Sequence, residues 1–79
     1  MIYPNLAAEV ARAGLSYPKL AEAVGINVNT LYYKLKGVRE FTLKEMEAIR
    51  DYFKKLAEDK GIEIDTSLEY LFYKDLSVK

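Results

Sequence analysis

The side chains of this chain that could do chemistry lie close together, just after residue 27. Asn29 carries an amide that can make two hydrogen bonds to the N6/N7 edge of adenine. Tyr33 can pack on a thymine methyl group or donate a hydrogen bond to a phosphate. Lys36 and Arg39 follow shortly and supply positive charge. An amide, a phenol and two cations in this order favour contact with nucleic acid over an ordinary solvated surface.

A helix that begins after Asn27 positions these side chains on one face. At about 100° per residue, the apolar positions of this helix share one sector and are expected to be buried. That sector holds Val28, Leu31 and Leu35. The opposite sector holds Asn29, Tyr33 and Lys36, with Thr30 and Tyr32 at its sides. The pattern therefore predicts a helix that packs on one face and presents polar and aromatic groups on the other.

Several residues near this helix also have a purely structural interpretation, which the sequence leaves open. Asn27 can serve as the N-cap alone, or its N–H groups can also meet a phosphate. Arg39 can contact phosphate or be an ordinary surface charge, and Tyr17 can touch phosphate or only pack. We expect Tyr32 to pack against the fourth helix and Lys34 to be solvated.

A second short helix precedes this one and is joined to it by a glycine-containing turn. Ser16 is expected to cap it, and Pro18 falls in its first turn, where a missing N–H matters little. Its buried stripe is expected to hold Leu20, Ala21 and Val24. Gly25 allows the left-handed backbone that ends the helix. Residues 16–37 thus have the pattern of a helix-turn-helix motif, whose second helix can lie in the DNA major groove.

Further helices are predicted on both sides of the motif. Asn5 is expected to cap a first helix that ends at Gly14. Thr42 and Glu45 form a capping box for a fourth helix that ends near Gly61. Its inward face is predicted to hold Leu43, Met46, Ile49, Phe53 and Leu56. Phe41 is expected to anchor the preceding loop in the core.

The last segment predicts a short fifth helix. Asp65 or Thr66 is the expected cap, and the helix is expected to run to about Phe72. Residues 73–79 are either extended or frayed, and their role stays open. Together these segments predict an all-α fold, a compact bundle of about five short helices.

The composition excludes several classes of function. A chain of 79 residues with a hydrophobic fraction of 51% has room for one domain with a modest core. Without cysteine and histidine it has no disulfide, no thiolate ligand and no imidazole base. We therefore expect no enzyme activity, no metal, no cofactor and no small-molecule ligand. No apolar run is long enough to cross a membrane, and we expect a cytoplasmic protein.

The charge is unevenly distributed although the formal net charge is zero. Residues 1–40 hold five basic and three acidic side chains, a balance of +2, whereas residues 41–79 hold seven and nine, a balance of −2. The half that contains the helix-turn-helix pattern is the basic half. This weak dipole is compatible with DNA at one end of the molecule, although an ordinary surface could also produce it.

These segments together resemble the Cro/repressor-type helix-turn-helix regulators of phages and their bacterial relatives. The resemblance rests on LAEAVGI at 20–26, the cap Asn27, NTLYYKLKG at 29–37 and REFTL at 39–43. It spans residues 5–56 and is closest to the small phage-encoded members. It implies a lambda-repressor-like domain that binds double-stranded operator DNA as a homodimer and regulates transcription, usually as a repressor.

The resemblance also implies which residues meet DNA. Its base-contacting positions fall on Val28, Asn29 and Tyr33. Its phosphate-contacting positions fall on Tyr17, Asn27, Lys36 and Arg39. Two of these depart from the family pattern. Tyr17 stands where the family often has glutamine, and Val28 can meet a thymine methyl group but cannot hydrogen-bond a base.

The sequence divides into a DNA-binding core over residues 1–57 and an extension over residues 58–79. The extension is rich in apolar residues, and either covers the core or forms a contact between two copies. The operator sequence, the sense of regulation and the oligomeric state in solution stay open. An alternative function is a protein-interaction module that has the helix-turn-helix fold but does not bind DNA. The neutral charge and the tyrosines near the motif favour it.

Overall fold

The computed structural model describes residues 2–76 and shows an all-helical arrangement. Five helices follow one another in that range: α1 (Pro4–Arg12), α2 (Tyr17–Val24), α3 (Val28–Leu35), α4 (Leu43–Lys60) and α5 (Leu68–Leu71). α2 packs against α3 and α4, while α5 packs against α1 and α4. The prediction of an all-α bundle of about five short helices is confirmed.

The helices of the motif begin and end where local chemistry predicts. Ser16 and Asn27 accept hydrogen bonds from backbone N–H groups in the first turns of α2 and α3, at 3.3 and 2.8 Å. Thr42 and Glu45 form the reciprocal capping box of α4, with bonds of 3.1 and 2.8 Å. Gly25 has a φ of 77°, the left-handed conformation that ends α2. All these predictions are confirmed. The sequence could predict these features because each depends on contacts within a few residues.

The start of α1 differs from the prediction. Tyr3 occupies the N-cap position without a side-chain cap, and Pro4 begins the helix. Proline suits this position because the first N–H groups of a helix have no intrahelical partner. Asn5 is therefore not the cap: it lies inside the first turn, and its Nδ2 donates to the carbonyl oxygen of Tyr70 at 3.0 Å.

The fifth helix is also capped by a residue that the sequence analysis did not select. Ser67 accepts a hydrogen bond from the N–H of Tyr70 at 3.2 Å, so the prediction of Asp65 or Thr66 is wrong. Asp65 instead accepts from the N–H of Ser67 at 3.0 Å. This local turn orients Ser67 for capping. Phe72 lies just beyond the end of the helix.

The core draws on every helix and on the loop before α4. Its buried apolar residues are Tyr3, Leu6, Val10, Ala13, Leu20, Ala21, Leu31, Leu35, Phe41, Ile49, Phe53 and Leu71. Leu43, predicted to face inward, is 59% exposed. It lies about 80° and 120° around α4 from Phe53 and Ile49, which are fully buried, and so falls on the rim of the helix.

Three aromatic rings join the two chain ends to the loop before α4. Tyr3 lies edge-on to Phe41, with ring centroids 5.3 Å apart, and Phe41 lies edge-on to Phe72 at 5.2 Å. Tyr3 and Phe72 complete the cluster at 6.0 Å. Edge-to-face pairs of this kind add to the free energy of burial. Phe41 therefore anchors its loop, as predicted, and the segment after α4 takes part in the core.

A buried carboxylate links α1 to α5. Glu9 is only 1% exposed, and its Oε2 accepts a hydrogen bond from the hydroxyl of Tyr70 at 2.6 Å. Its Oε1 has the guanidinium of Arg12 at 3.3 Å but no hydrogen bond within residues 2–76. The hydrogen bond to Glu9 is the main cause that raises the pKa of Tyr70, since a phenolate would face a carboxylate.

The segment after α5 is described as far as Leu76, and residues 77–79 lie outside the described range. Tyr73 and Leu76 are exposed, whereas Tyr70 and Phe72 pack against the core. None of the helices in the described range combines the length and the apolar content that a membrane span requires.

Replacing Tyr70 by phenylalanine is expected to lower the free energy of unfolding by about 1–3 kcal/mol, because buried Glu9 loses its hydrogen-bond donor. Chemical denaturation followed by circular dichroism measures this change. Tyr73→Phe is the matched control, since that phenol is exposed, and it should change stability by less than about 0.5 kcal/mol. Equal effects of the two substitutions would contradict a stabilising bond between α1 and α5.

Candidate nucleic-acid interface

α3 is an eight-residue helix with one buried face and one exposed face. Leu31 and Leu35 are almost fully buried, and Val28 is half-buried against the core. On the other side, Asn29, Tyr33 and Lys36 are exposed, with Tyr33 at 49%. We call these three residues the outer face of α3. The predicted division of the helix into two faces is confirmed.

Asn27 stands at the entrance to the outer face and acts as the cap of α3. Its Oδ1 accepts a hydrogen bond from the backbone N–H of Asn29 at 2.8 Å. The carbonyl oxygen of the Asn27 side chain is therefore engaged within the protein, while the residue itself is exposed. The start of a helix carries partial positive charge, so this end of α3 suits an anion such as phosphate.

Tyr17 and Tyr32 join α2 to α3 on the same side of the molecule. Their ring centroids are 6.0 Å apart at an interplanar angle of 62°, an edge-on pair. The sequence predicts a neighbour for Tyr32 in α4, whereas the ring contact that the structure shows is with α2. Burial, and then the neighbouring Tyr32, raise the pKa of Tyr17, so its phenol stays protonated at neutral pH. Tyr17 thus holds the two motif helices together.

Lys34 is buried, in contrast to the prediction that it is solvated. It is 7% exposed, forms an ion pair with Glu45, and its Nζ lies 6.0 Å from the centre of the Phe41 ring. The helical periodicity explains this position, since Lys34 is about 60° around α3 from the fully buried Leu31. One of the four basic residues within or just after the motif is therefore neutralised inside the protein.

The capping box of α4 supplies the partner of Lys34. Glu45 Oε1 accepts from both Lys34 Nζ and the backbone N–H of Thr42, the latter at 2.8 Å. Burial alone acts to raise the pKa of Glu45, but these hydrogen bonds outweigh it and hold that pKa below its ordinary value. Glu45 stays ionised at neutral pH and ties the end of α3 to the start of α4.

Residues 36–42, which we call the exit loop, leave α3 in a fixed conformation. Gly37 has a φ of 85°, and the N–H of Val38 donates to the carbonyl oxygen of Tyr33 at 2.9 Å. This left-handed backbone favours glycine, whereas a Cβ at this position would lie 2.8 Å from Ile2 Cδ1, the end of a flexible side chain that can shift. Lys36 and Arg39 are exposed, and neither takes part in an ion pair within residues 2–76.

The free positive charge near the outer face of α3 is smaller than the sequence alone indicates. Lys34 is paired, which leaves Lys36 and Arg39 at the exit of the helix and Lys19 in the first turn of α2. Glu40, next to Arg39, pairs with Lys74 from the last segment of the chain. Both pairings involve residues that the sequence analysis did not connect. The sequence did contain a signal for the pair of Lys34 with Glu45: Lys34 falls close to the buried face of α3, and Glu45 belongs to the capping box that follows.

The residues predicted to contact DNA lie in one segment of the chain, which runs from α2 through α3 into the exit loop. They are Tyr17, Asn27, Val28, Asn29, Tyr33, Lys36 and Arg39. Within the described residues there is no pocket and no cluster of side chains suited to a metal ion. The candidate interface is a surface of polar, aromatic and basic groups.

Comparisons with protein-family models, with curated proteins and with solved structures find no match to this chain.

Replacing Glu45 by glutamine is expected to lower the free energy of unfolding at about pH 7 by about 2 kcal/mol. Glutamine keeps an oxygen for the N–H of Thr42 but removes the charge that pairs with Lys34. Because the folded-state pKa of Glu45 is lowered, its contribution is complete above the ordinary value of 4.5 and is lost as pH falls through the lower folded-state value.

The difference between wild type and Glu45→Gln should therefore shrink in acid. Unfolding by urea at several pH values measures it, and Glu47→Gln on the same helix is the control. A difference that stays constant down to strong acid would rule out the ion pair as its source.

Proposed function

We propose that this protein is a sequence-specific regulator of transcription that binds double-stranded operator DNA through α3. The observation that carries the proposal is the outer face of α3, where an amide and a phenol are exposed together beside two unpaired cations. Asn29 and Tyr33 face away from the core, and Lys36 and Arg39 follow at the exit of the helix. An α-helix presented in this way fits the width of the major groove.

Base recognition is assigned to the first turns of α3. Asn29 can bind the N6/N7 edge of adenine through its amide, and Tyr33, one turn later, can pack on a thymine methyl group. Val28 is half-buried against the core, so it offers only part of its side chain to a methyl group. We expect Asn29 to carry most of the direct discrimination between bases.

Phosphate contacts are assigned to both ends of α3. Lys36 and Arg39 are exposed where the chain leaves the helix, the place at which a docked α3 meets the sugar-phosphate backbone. Asn27 supports the opposite end, where the start of the helix attracts an anion. Tyr17 is half-buried beside Tyr32 at the start of α2, so a contact from it would be to the backbone of the same groove.

The resemblance to Cro/repressor-type proteins suggests how binding acts on transcription. Occupation of an operator by a phage or prophage regulator excludes the polymerase from the promoter. A homodimer is part of this proposal, since few free cations per copy give weak binding and two copies double the number of phosphate contacts. The two half-sites would then lie about 34 Å apart, one turn of DNA.

A second candidate function is a protein-interaction module that uses the same surface. The exposed aromatic and apolar side chains at the motif favour it, and they are Tyr32, Tyr33 and Val38. Aromatic residues are enriched in protein interfaces, and the chain has no net charge to attract DNA from a distance. Binding to DNA with a measurable sequence preference separates the two functions.

Selection of tight-binding duplexes from a random library tests the proposed function. Asn29→Ala should relax preference at one base position of the selected duplex by about 1–3 kcal/mol, whereas Arg39→Ala should weaken all sequences alike. Lys55→Ala is the control. Its side chain is exposed on α4, about 18 Å along the helix from its first residue, and its removal should change little. Failure of the wild type to enrich any sequence would remove the proposal.

The salt dependence of binding should reflect the three free cations near α3. We expect log Kobs to fall with log salt concentration with a slope no steeper than about −2.7 per protomer, since each neutralised phosphate contributes about −0.9. Titrations on the selected duplex between about 0.05 and 0.2 M salt measure the slope. Arg39→Ala should reduce it by about 0.9. A steeper slope would mean that cations outside this surface contact the DNA.

A further inference from the structure

The two ends of the described chain meet at the exit of α3. The N–H of Ile2 donates to the carbonyl oxygen of Leu35 at 3.2 Å, and the side chain of Ile2 lies against Gly37. From the other end, the N–H of Asp75 donates to the carbonyl oxygen of Ile2 at 2.9 Å. The last segment of the chain is therefore attached to the same place from which the exit loop departs.

An ion pair connects this last segment directly to the exit loop. Lys74 Nζ lies 3.0 Å from Glu40 Oε1 and 2.8 Å from Glu40 Oε2, so the ammonium group bonds both oxygens of one carboxylate. The edge-on contact of Phe41 with Phe72 holds the two backbones beside this pair. The pair spans 34 residues of sequence and brings a cation to a loop that otherwise carries an unpaired carboxylate.

Glu40 stands in an unfavourable position for a phosphate-binding loop. It follows Arg39 directly, and neighbouring Cα atoms are about 3.8 Å apart. Charges in solution act over about 8 Å at physiological ionic strength, so a free carboxylate here would repel any phosphate that Arg39 contacts. Cancelling the charge of Glu40 therefore strengthens the attraction of this loop for DNA.

We propose that Lys74 is a positioning residue for DNA binding, which acts by neutralising Glu40 and so leaves the charge of Arg39 available to phosphate. The inference rests on the proposed function and extends it, because it makes the last segment of the chain a part of the DNA-binding unit. The hydrogen bond to Glu40 raises the pKa of Lys74, and the ammonium group is thus charged throughout the neutral range. Exposed ion pairs add little to folding stability, so an effect on DNA can be measured without unfolding the protein.

The experiment compares the full chain with four variants: Lys74→Met, Lys74→Arg, Glu40→Gln and the double variant Glu40→Gln/Lys74→Met. The probe is a fluorescent random-sequence duplex of about 30 base pairs, so that only the phosphate contacts are measured. Lys55→Met is the matched control, because it removes one exposed lysine at a distance from the exit loop. Circular dichroism melting of each variant reports its folding.

One uncompensated charge at the exit loop should change affinity by about eightfold per bound protomer at about 0.1 M salt, the change expected for one phosphate contact. Lys74→Met is expected to bind that much more weakly, and Glu40→Gln that much more tightly. The double variant and Lys74→Arg should both bind close to wild type, as should Lys55→Met. The differences should disappear as the salt concentration approaches about 1 M, because they are electrostatic.

Four results would overturn the inference. If Lys74→Met binds as well as Lys55→Met, Glu40 needs no neutralisation. If Glu40→Gln weakens binding, or the double variant stays as weak as Lys74→Met, the pair only holds the loop in shape. Each of these results leaves the proposed function in place, provided that the wild type binds the duplex. If the wild type does not bind the duplex at all, the proposed function fails, and the inference fails with it.

Discussion

The constraint on which the rest of this structure depends is that one short helix must serve two environments. α3 has eight residues, and Leu31 and Leu35 use its inner face to fill the core. Its outer face carries polar and aromatic groups. A rotation of the helix would therefore bury polar groups and expose the leucines. The contacts at its two ends follow from this requirement. Asn27 fixes the start of the helix, and Lys34 with Glu45 fixes its end.

Two ion pairs decide which charges stay unpaired near α3, although the chain has no net charge. Lys34 is neutralised inside by Glu45, whereas Glu40 is neutralised outside by Lys74. The first pair removes a positive charge from α3 and the second removes a negative charge from the exit loop, which leaves Lys36 and Arg39 at the exit of α3 and Lys19 in the first turn of α2 as the unpaired cations. In the proposed function, a chain with no net charge would depend on a few well-placed contacts to DNA and not on long-range attraction.

Much of the fold could be predicted from the sequence, because the signals that define it are local. Ser16, Asn27 and the Thr42–Glu45 box cap helices through bonds to residues two or three positions away. The end of α2 is equally local, because it requires only that Gly25 adopt a left-handed backbone conformation. The periodicity of the α-helix, about 100° per residue, correctly predicted that Asn29, Tyr33 and Lys36 lie on the exposed side of α3. Where it failed, as for Leu43, the residue lies at the rim between buried and exposed faces.

What the sequence by itself determined is therefore the set of helices, the caps of α2, α3 and α4, and the outer face of α3. Only the tertiary structure decided which charges are paired and where the first and last described segments lie. Asn5 is 65 residues from its partner Tyr70, and Glu40 is 34 residues from Lys74. No local sequence pattern relates residues so far apart. Hydrogen bonds and ion pairs require atoms to approach within about 3 Å. That approach is set by how the helices pack together, a property of the whole chain and not of any segment.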